Sequence, residues 1–220
     1  MAPLTRSPAG RPLRWVQSEI VIQPFPPRGG ITGADLAQAL EAGVRTWNGA
    51  LAGCGVPTLR VLPFAPGRPS LGRDGRSHLV VRSRRWCPDD VRDHGDCYPP
   101  GSAAQTHRYP EDVAGRAFAD VREADIEISA ADFAWSQHGE EPGTRALDVI
   151  LLHELGHVLG LTHPCESRSG TGRAPDVPPC NERFASALMN PAPVAPGVRP
   201  TLTPTSAEVR AVCSIYAEAR

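Results

Sequence analysis

The stretch His153-Glu154-Leu155-Gly156-His157-Val158-Leu159-Gly160-Leu161-Thr162-His163 decides how this chain is read. It begins inside an apolar run, Thr144 to Leu159, that holds Leu147, Ile150, Leu151, Leu152 and Leu155 among others. That run predicts a helix apolar nearly all round, and therefore buried. His153 and His157 stand at i and i+4, one turn apart on the same face. Their imidazoles can reach one ion at about 2.0–2.1 Å. Glu154 points about 100° round the helix. It is near enough to bond a water at the metal but poorly aimed to be a ligand. Gly160 stands where a left-handed helix cap is wanted, so the chain can turn back and bring His163 under the first two. A buried helix has no packing need for two His and a Glu at this spacing. Three His ligands would leave a fourth position open, with a carboxylate beside it placed as a general base.

Outward from this helix, the chain reads as one α+β domain. Residues 1–14 are rich in Pro and Arg and are expected as a flexible N-terminal tail. Glu19 to Gln23 alternate as a strand. Thr32 to Leu51 predict a helix with Thr32 as N-cap, because Leu36, Leu40, Val44, Trp47 and Leu51 recur at helical spacing. Thr58 to Phe64 and His78 to Arg82 are further strands, joined by a loop over residues 65–77. Residues 84–112 are polar and irregular. Val113 to Ala119 and Ala124 to Ser129 are the next expected strands. After the zinc-site helix, residues 164–204 are Pro-rich, and Ser206 to Ala217 form a last helix. The expected domain spans 15–220, with an upper part over about 15–160 and a lower part over about 161–220.

Composition narrows the partners. The chain has 220 residues, 40% hydrophobic and 21% charged, with net charge −1, as in an ordinary globular protein. No basic stripe with interleaved aromatics points to nucleic acid. No apolar run approaches the length of a membrane span. The N-terminus lacks the apolar core of a signal peptide. The cysteines are Cys54, Cys87, Cys97, Cys165, Cys180 and Cys213, with no Cys-x-x-Cys pair among them. An even, dispersed set suggests disulfides and an oxidising compartment. The expectation is the mature part of an exported protein; the alternative is a reduced protein with six buried thiols.

The quoted stretch matches H-E-x-x-H-x-x-G-x-x-H, and with it the chain resembles the metzincin zinc peptidases, most closely bacterial relatives of the matrixins. Met189, in Ala187-Leu188-Met189-Asn190-Pro191, falls where that family has its Met-turn. Val113 to Ala119 resembles the family's edge strand above the cleft, Ala124 to Ser129 a following strand, and Ala207 to Tyr216 the closing helix. The resemblance implies a zincin fold: a twisted mixed sheet with two long helices, a zinc cleft, and a loop-rich lower part ending in a helix. It implies one catalytic Zn2+ on His153, His157 and His163, with Glu154 as general base. A substrate strand would pair at Ala117 and Phe118, and Asn190, Pro191, Ala192 and Pro193 would wall the specificity pocket. A peptide or protein substrate, a monomer, and no nucleic-acid or membrane partner are expected.

Some positions depart from the family. His94-Gly95-Asp96 resembles a segment that holds a second, structural zinc, but its partners would fall at Arg116 and Glu127, where the family has His. A second metal is therefore not expected. Asn190 replaces the Tyr that commonly follows the turn Met. Six cysteines allow about 15 pairings. Spacing ranks Cys87 with Cys97 and Cys165 with Cys180, leaving Cys54 with Cys213, a clasp that resembles one in astacins. Cys54-Gly55-Val56-Pro57 also reads like the matrixin latency motif, so a Cys54 thiolate on the metal stays open. The function expected is a zinc-dependent endopeptidase. The alternatives are a secreted zinc-binding module without peptidase activity and a non-peptidase zinc hydrolase.

Overall fold

The computed structural model describes residues 2–67, 69, 71–88, 97–99, 101–166, 178–191 and 202–217. From the N-terminus the elements are β1 (Leu13–Trp15), β2 (Glu19–Pro24), α1 (Gly33–Ala50), β3 (Thr58–Val61), β4 (Ser77–Arg82), β5 (Ala104–Arg108), β6 (Ala119–Val121), β7 (Ala124–Ser129), β8 (Ala134–Ser136), β9 (Thr144–Ala146), α2 (Leu147–Val158) and α3 (Ser206–Ala217). The architecture is α+β. Five strands form one mixed sheet in the order β3-β2-β4-β7-β5, and only β5, at the edge, runs antiparallel to its neighbour. Register pairs Leu79 with Ile126 and Val81 with Ile128, so these four point to one face. That face shares a buried core with Ile20, Ile22, Leu40, Trp47, Leu151 and Leu155. The helices thus cover the apolar face of the sheet.

α1 begins as the sequence implies: the Thr32 Oγ1 accepts the Asp35 N–H at 3.1 Å. It lies against α2 at Gly43, where a Cβ would fall 2.8 Å from Leu155 Cδ1. Deeper along the contact, the Trp47 indole Nε1 donates to the Leu152 carbonyl at 2.9 Å. The Trp is therefore buried without leaving its N–H unpaired.

Four expectations are corrected. Residues 2–14 are fastened to the body: Thr5 N donates to Gly160 O at 2.8 Å, Thr162 N donates to Pro3 O at 3.1 Å, and β1 pairs with β6. Leu4 and Leu13 supply the apolar anchors that the Pro/Arg composition hid. Thr144 to Ala146 form β9, not a first helical turn, because the Thr144 hydroxyl bonds the Glu141 carbonyl and the Ser136 hydroxyl. β3 stops at Val61, since Pro63 has no N–H to extend the ladder. Of Val113 to Ala119, only Ala119 belongs to a strand; Gly115 has φ of +77°, and Arg116 N closes a turn onto Val113 O. The edge of the main sheet is β5, within the stretch read as irregular.

The cysteines pair as 54–213, 87–97 and 165–180, and none is free. Cys54 is thus bonded to α3, and a latency thiolate at that position is ruled out. Among the described residues, no helix is long and apolar enough to cross a membrane. The 54–213 bond closes a separation of 159 residues and ties the end of α1 to α3. Restricting so long a loop in the unfolded chain stabilises the fold by about 2–5 kcal/mol. The Cys54→Ser, Cys213→Ser double variant is expected to lose that amount, read as a lower urea midpoint.

Candidate metal centre

α2 ends in a Schellman turn: Leu161 N donates to Gly156 O at 3.0 Å, and Gly160 N donates to His157 O at 3.0 Å. Gly160 takes φ of +98°, a conformation that favours glycine. The turn folds the chain back under the helix and delivers His163. His153 Nε2 and His157 Nε2 each lie 3.1 Å from His163 Nε2.

The opposite ring nitrogens are fixed by main-chain acceptors. His153 Nδ1 donates to Leu188 O at 2.8 Å, and His157 Nδ1 donates to Leu161 O at 2.9 Å. With Nδ1 protonated, each Nε2 of a neutral ring is a lone pair directed inward. Two such acceptors, with His163 Nε2 facing both, make a nitrogen set suited to a cation. Tetrahedral ligands at 2.0–2.1 Å from zinc stand about 3.3 Å apart, close to the separations seen here. His153, His157 and His163 could hold a metal ion.

Their electrostatics agree. Burial, then the neighbouring His153 and Arg108 charges, pulls His163 down to about 3. Burial and the same neighbours, with His163, hold His157 well below the usual imidazole range. Both rings stay neutral at neutral pH, as ligands must.

The floor of the site is Met189, fully buried. A Cβ on Gly156 would collide with Met189 Sδ and fall 3.2 Å from Trp47 Cζ2. This explains the glycine inside His153-Glu-Leu-Gly-His157: the helix, the indole and the thioether meet there without space for a methyl. Met189 is held in turn by α3. Its N–H donates to Glu208 Oε1 at 2.8 Å, while Glu208 Oε2 accepts Thr205 N at 2.7 Å. Glu208 N donates back to Thr205 Oγ1 at 3.3 Å, completing a capping box. Thr205-Ser206-Ala207-Glu208 carried that signal in the sequence, yet its link to the metal centre needed the fold.

Glu154 is buried on α2, and Thr106 Oγ1 donates to its Oε2 at 2.6 Å. Burial raises its carboxyl above the usual range, offset by the His153 charge, the Thr106 hydrogen bond and the charge of Arg108. Arg108 Nη1 donates to His157 O at 3.0 Å and to Leu161 O at 3.2 Å, satisfying carbonyls at the helix end. Trp15 Nε1 takes Val158 O at 2.8 Å. Thr106, Arg108 and Trp15 were not singled out in the sequence. Only the pairing of β5 with β7 brings the first two to the site.

The other expected positions divide. Ala117 and Phe118 lie in the turn before β6, where the Arg14 guanidinium sits 4.4 Å over the Phe118 ring. They are not on the sheet edge beside α2. Asn190 Nδ2 donates to Phe184 O at 3.1 Å, directly after Met189 and before Pro191. Ala192, Pro193, His94 and Asp96 lie outside the described residues. Arg116 pairs with Asp120 at 2.6 Å, whereas Glu127 pairs with Arg82, His107 and Tyr98, so Arg116 and Glu127 do not share a site. Cys165 and Cys180 flank a short pairing in which Glu166 N donates to Pro178 O and Cys180 N to Glu166 O.

Two outcomes are expected. Gly156→Ala displaces Met189 and costs about 1–3 kcal/mol in stability, measured by denaturant unfolding. The second concerns pH. An unfolded His gains its proton near 6.5, but folded His163 resists to about 3. Between these values the unfolded chain binds more protons, so this group's contribution falls as pH falls. In metal-free protein, His163→Gln should flatten the decline of the urea midpoint over that window.

Compared with protein-family models and with curated proteins, the chain matches none.

Proposed function

We propose that this chain is a zinc-dependent endopeptidase of the metzincin type, acting outside the reducing cytosol. The observation that carries the proposal is the buried Glu154 carboxylate, held by Thr106 beside three converging imidazole Nε2 atoms. Zinc suits a site of three neutral nitrogens with an open position, and when bound it would polarise a carbonyl and acidify a water. Glu154 would take a proton from the attacking water and return it to the leaving amine. Thr106 holds Oε2, so Oε1 is the oxygen left to take the proton. No side chain forms a covalent intermediate.

Polypeptide as substrate is supported by β5. One side of this strand pairs with β7, and it ends the sheet. A substrate strand adding to that edge would lie over Thr106 and Glu154. The three disulfides support an oxidising compartment. A zinc-binding module without activity is the competing reading. Glu154 weighs against it, since a structural site has no use for a buried carboxylate that is not a ligand.

Zinc content and peptide cleavage test the proposal together. The purified protein should bind about one zinc per chain, and His153→Ala, His157→Ala or His163→Ala should abolish it. Glu154→Ala should keep the metal and lose about two to four orders of magnitude in rate. Equal turnover by that variant, or zinc retained in full by His163→Ala, would overturn the assignment.

A further inference from the structure

The C-terminal half of β5 borders a recess of about 300 Å³ whose other wall is the N-terminal segment. Thr5, Arg6, Thr106, His107, Arg108 and Tyr109 line it, and no carboxylate does. Its wall is firmly placed. Thr5 N donates to Gly160 O at 2.8 Å, Thr5 Oγ1 to Leu161 O at 3.2 Å, and Arg6 Nη1 to Gly10 O at 2.7 Å. Arg6 and Arg108 donate to main-chain carbonyls, and among the described residues neither forms a salt bridge. Behind the wall, the Tyr109 hydroxyl donates to Asp125 Oδ2 at 3.3 Å and His107 Nε2 lies 3.2 Å from Glu127 Oε1, so the two guanidiniums that line the recess are those of Arg6 and Arg108. Glu154 acts on Arg108 through space; it belongs to the reacting centre and does not line the recess. The result is a concave, cationic surface one step along the edge strand from Thr106.

Distance and direction decide what would occupy it. A strand pairing antiparallel to β5 runs from Tyr109 toward Ala104. Residues before the cleaved bond then lie at the Tyr109 end. From Thr106 to Tyr109 is about 10 Å at 3.3 Å per residue, which is two or three substrate positions. We propose that this recess is a subsite for an acidic side chain of the substrate, two or three residues N-terminal to the cleaved bond, with Arg6 and Arg108 as its cations. The proposal rests on the endopeptidase reading and gives it a substrate class: polypeptides with Asp or Glu ahead of the scissile bond.

The test compares two peptides that differ only as Glu or Gln at that position, on a bond first located with a neutral peptide library. Zinc-loaded protein should favour the Glu peptide by about threefold to tenfold in kcat/KM, the range of a partly exposed ion pair. The gain should sit in KM and shrink with salt. In Arg6→Gln the ratio should fall toward one. Arg108 is left intact, because its loss would free the loop carrying His163. Equal use of the two peptides, or an undiminished ratio in Arg6→Gln, overturns the subsite while leaving the peptidase intact. Absence of any cleavage would strike at the peptidase reading instead. The subsite is then decided by binding of the same peptides to Glu154→Ala protein in fluorescence anisotropy, where equal affinity overturns it.

Discussion

The ring nitrogens His153 Nε2 and His157 Nε2, each brought to 3.1 Å from His163 Nε2, set the terms for this structure. His153 and His157 each donate Nδ1 to a main-chain carbonyl, so a neutral ring at either position turns a bare Nε2 toward His163. Desolvated acceptors facing one another are costly, so the chain must hold them there by other contacts. It does so at both ends of the ligand set. Leu161 O fixes His157 from the turn that follows α2, and Leu188 O fixes His153 from the segment that precedes Met189. Orientation of the first ligands is thereby made a property of two loops rather than of the helix alone.

Those loops are in turn anchored by polar groups from distant parts of the chain. The Leu161 carbonyl receives His157, Arg108 and Thr5; the Met189 amide is held by Glu208 at the start of α3. Trp47 reaches across from α1 to Leu152, and Trp15 from β1 to Val158. Nearly every element outside the sheet thus ends on α2 or on the turn after it. The Cys54–Cys213 bond closes the circuit by joining the α1 end to α3. Trp15, Trp47 and Met189 are also members of the apolar core, so the contacts that orient the ligands and those that hold the fold are largely the same.

What the sequence made legible follows from which signals are local. Helical spacing of Leu36, Leu40, Val44 and Trp47 fixed α1, and the Thr32 cap lay where an N-cap residue was expected. Gly160 announced the turn, and spacing ranked the short disulfides. β5 was missed because Ala104–Arg108 has no apolar alternation; as an edge strand it is only half buried at every position. Val113 to Ala119 misled for the opposite reason: it has apolar residues but also Gly115, whose positive φ breaks the strand. The N-terminal segment was hidden by composition, since its hold on the Gly160–Thr162 turn is made mostly by main-chain hydrogen bonds, which no residue type advertises. Thr106 could not have been found before β5 was.

Glu154 shows why the site is better read as chemistry than as architecture. A carboxylate buried to 3% exposure is an expense that a metal staple could avoid with an apolar residue. The nearby His153 offsets part of that cost, followed by the Thr106 hydrogen bond to Oε2 and then the charge of Arg108. Thr106 is uncharged and Arg108 donates to the carbonyls of His157 and Leu161, so neither forms an ion pair with the group. The carboxyl is therefore poised to exchange a proton rather than locked in an ion pair. On the proposed peptidase reading, a group so held beside three converging Nε2 atoms is the one that would pass a proton to the leaving amine.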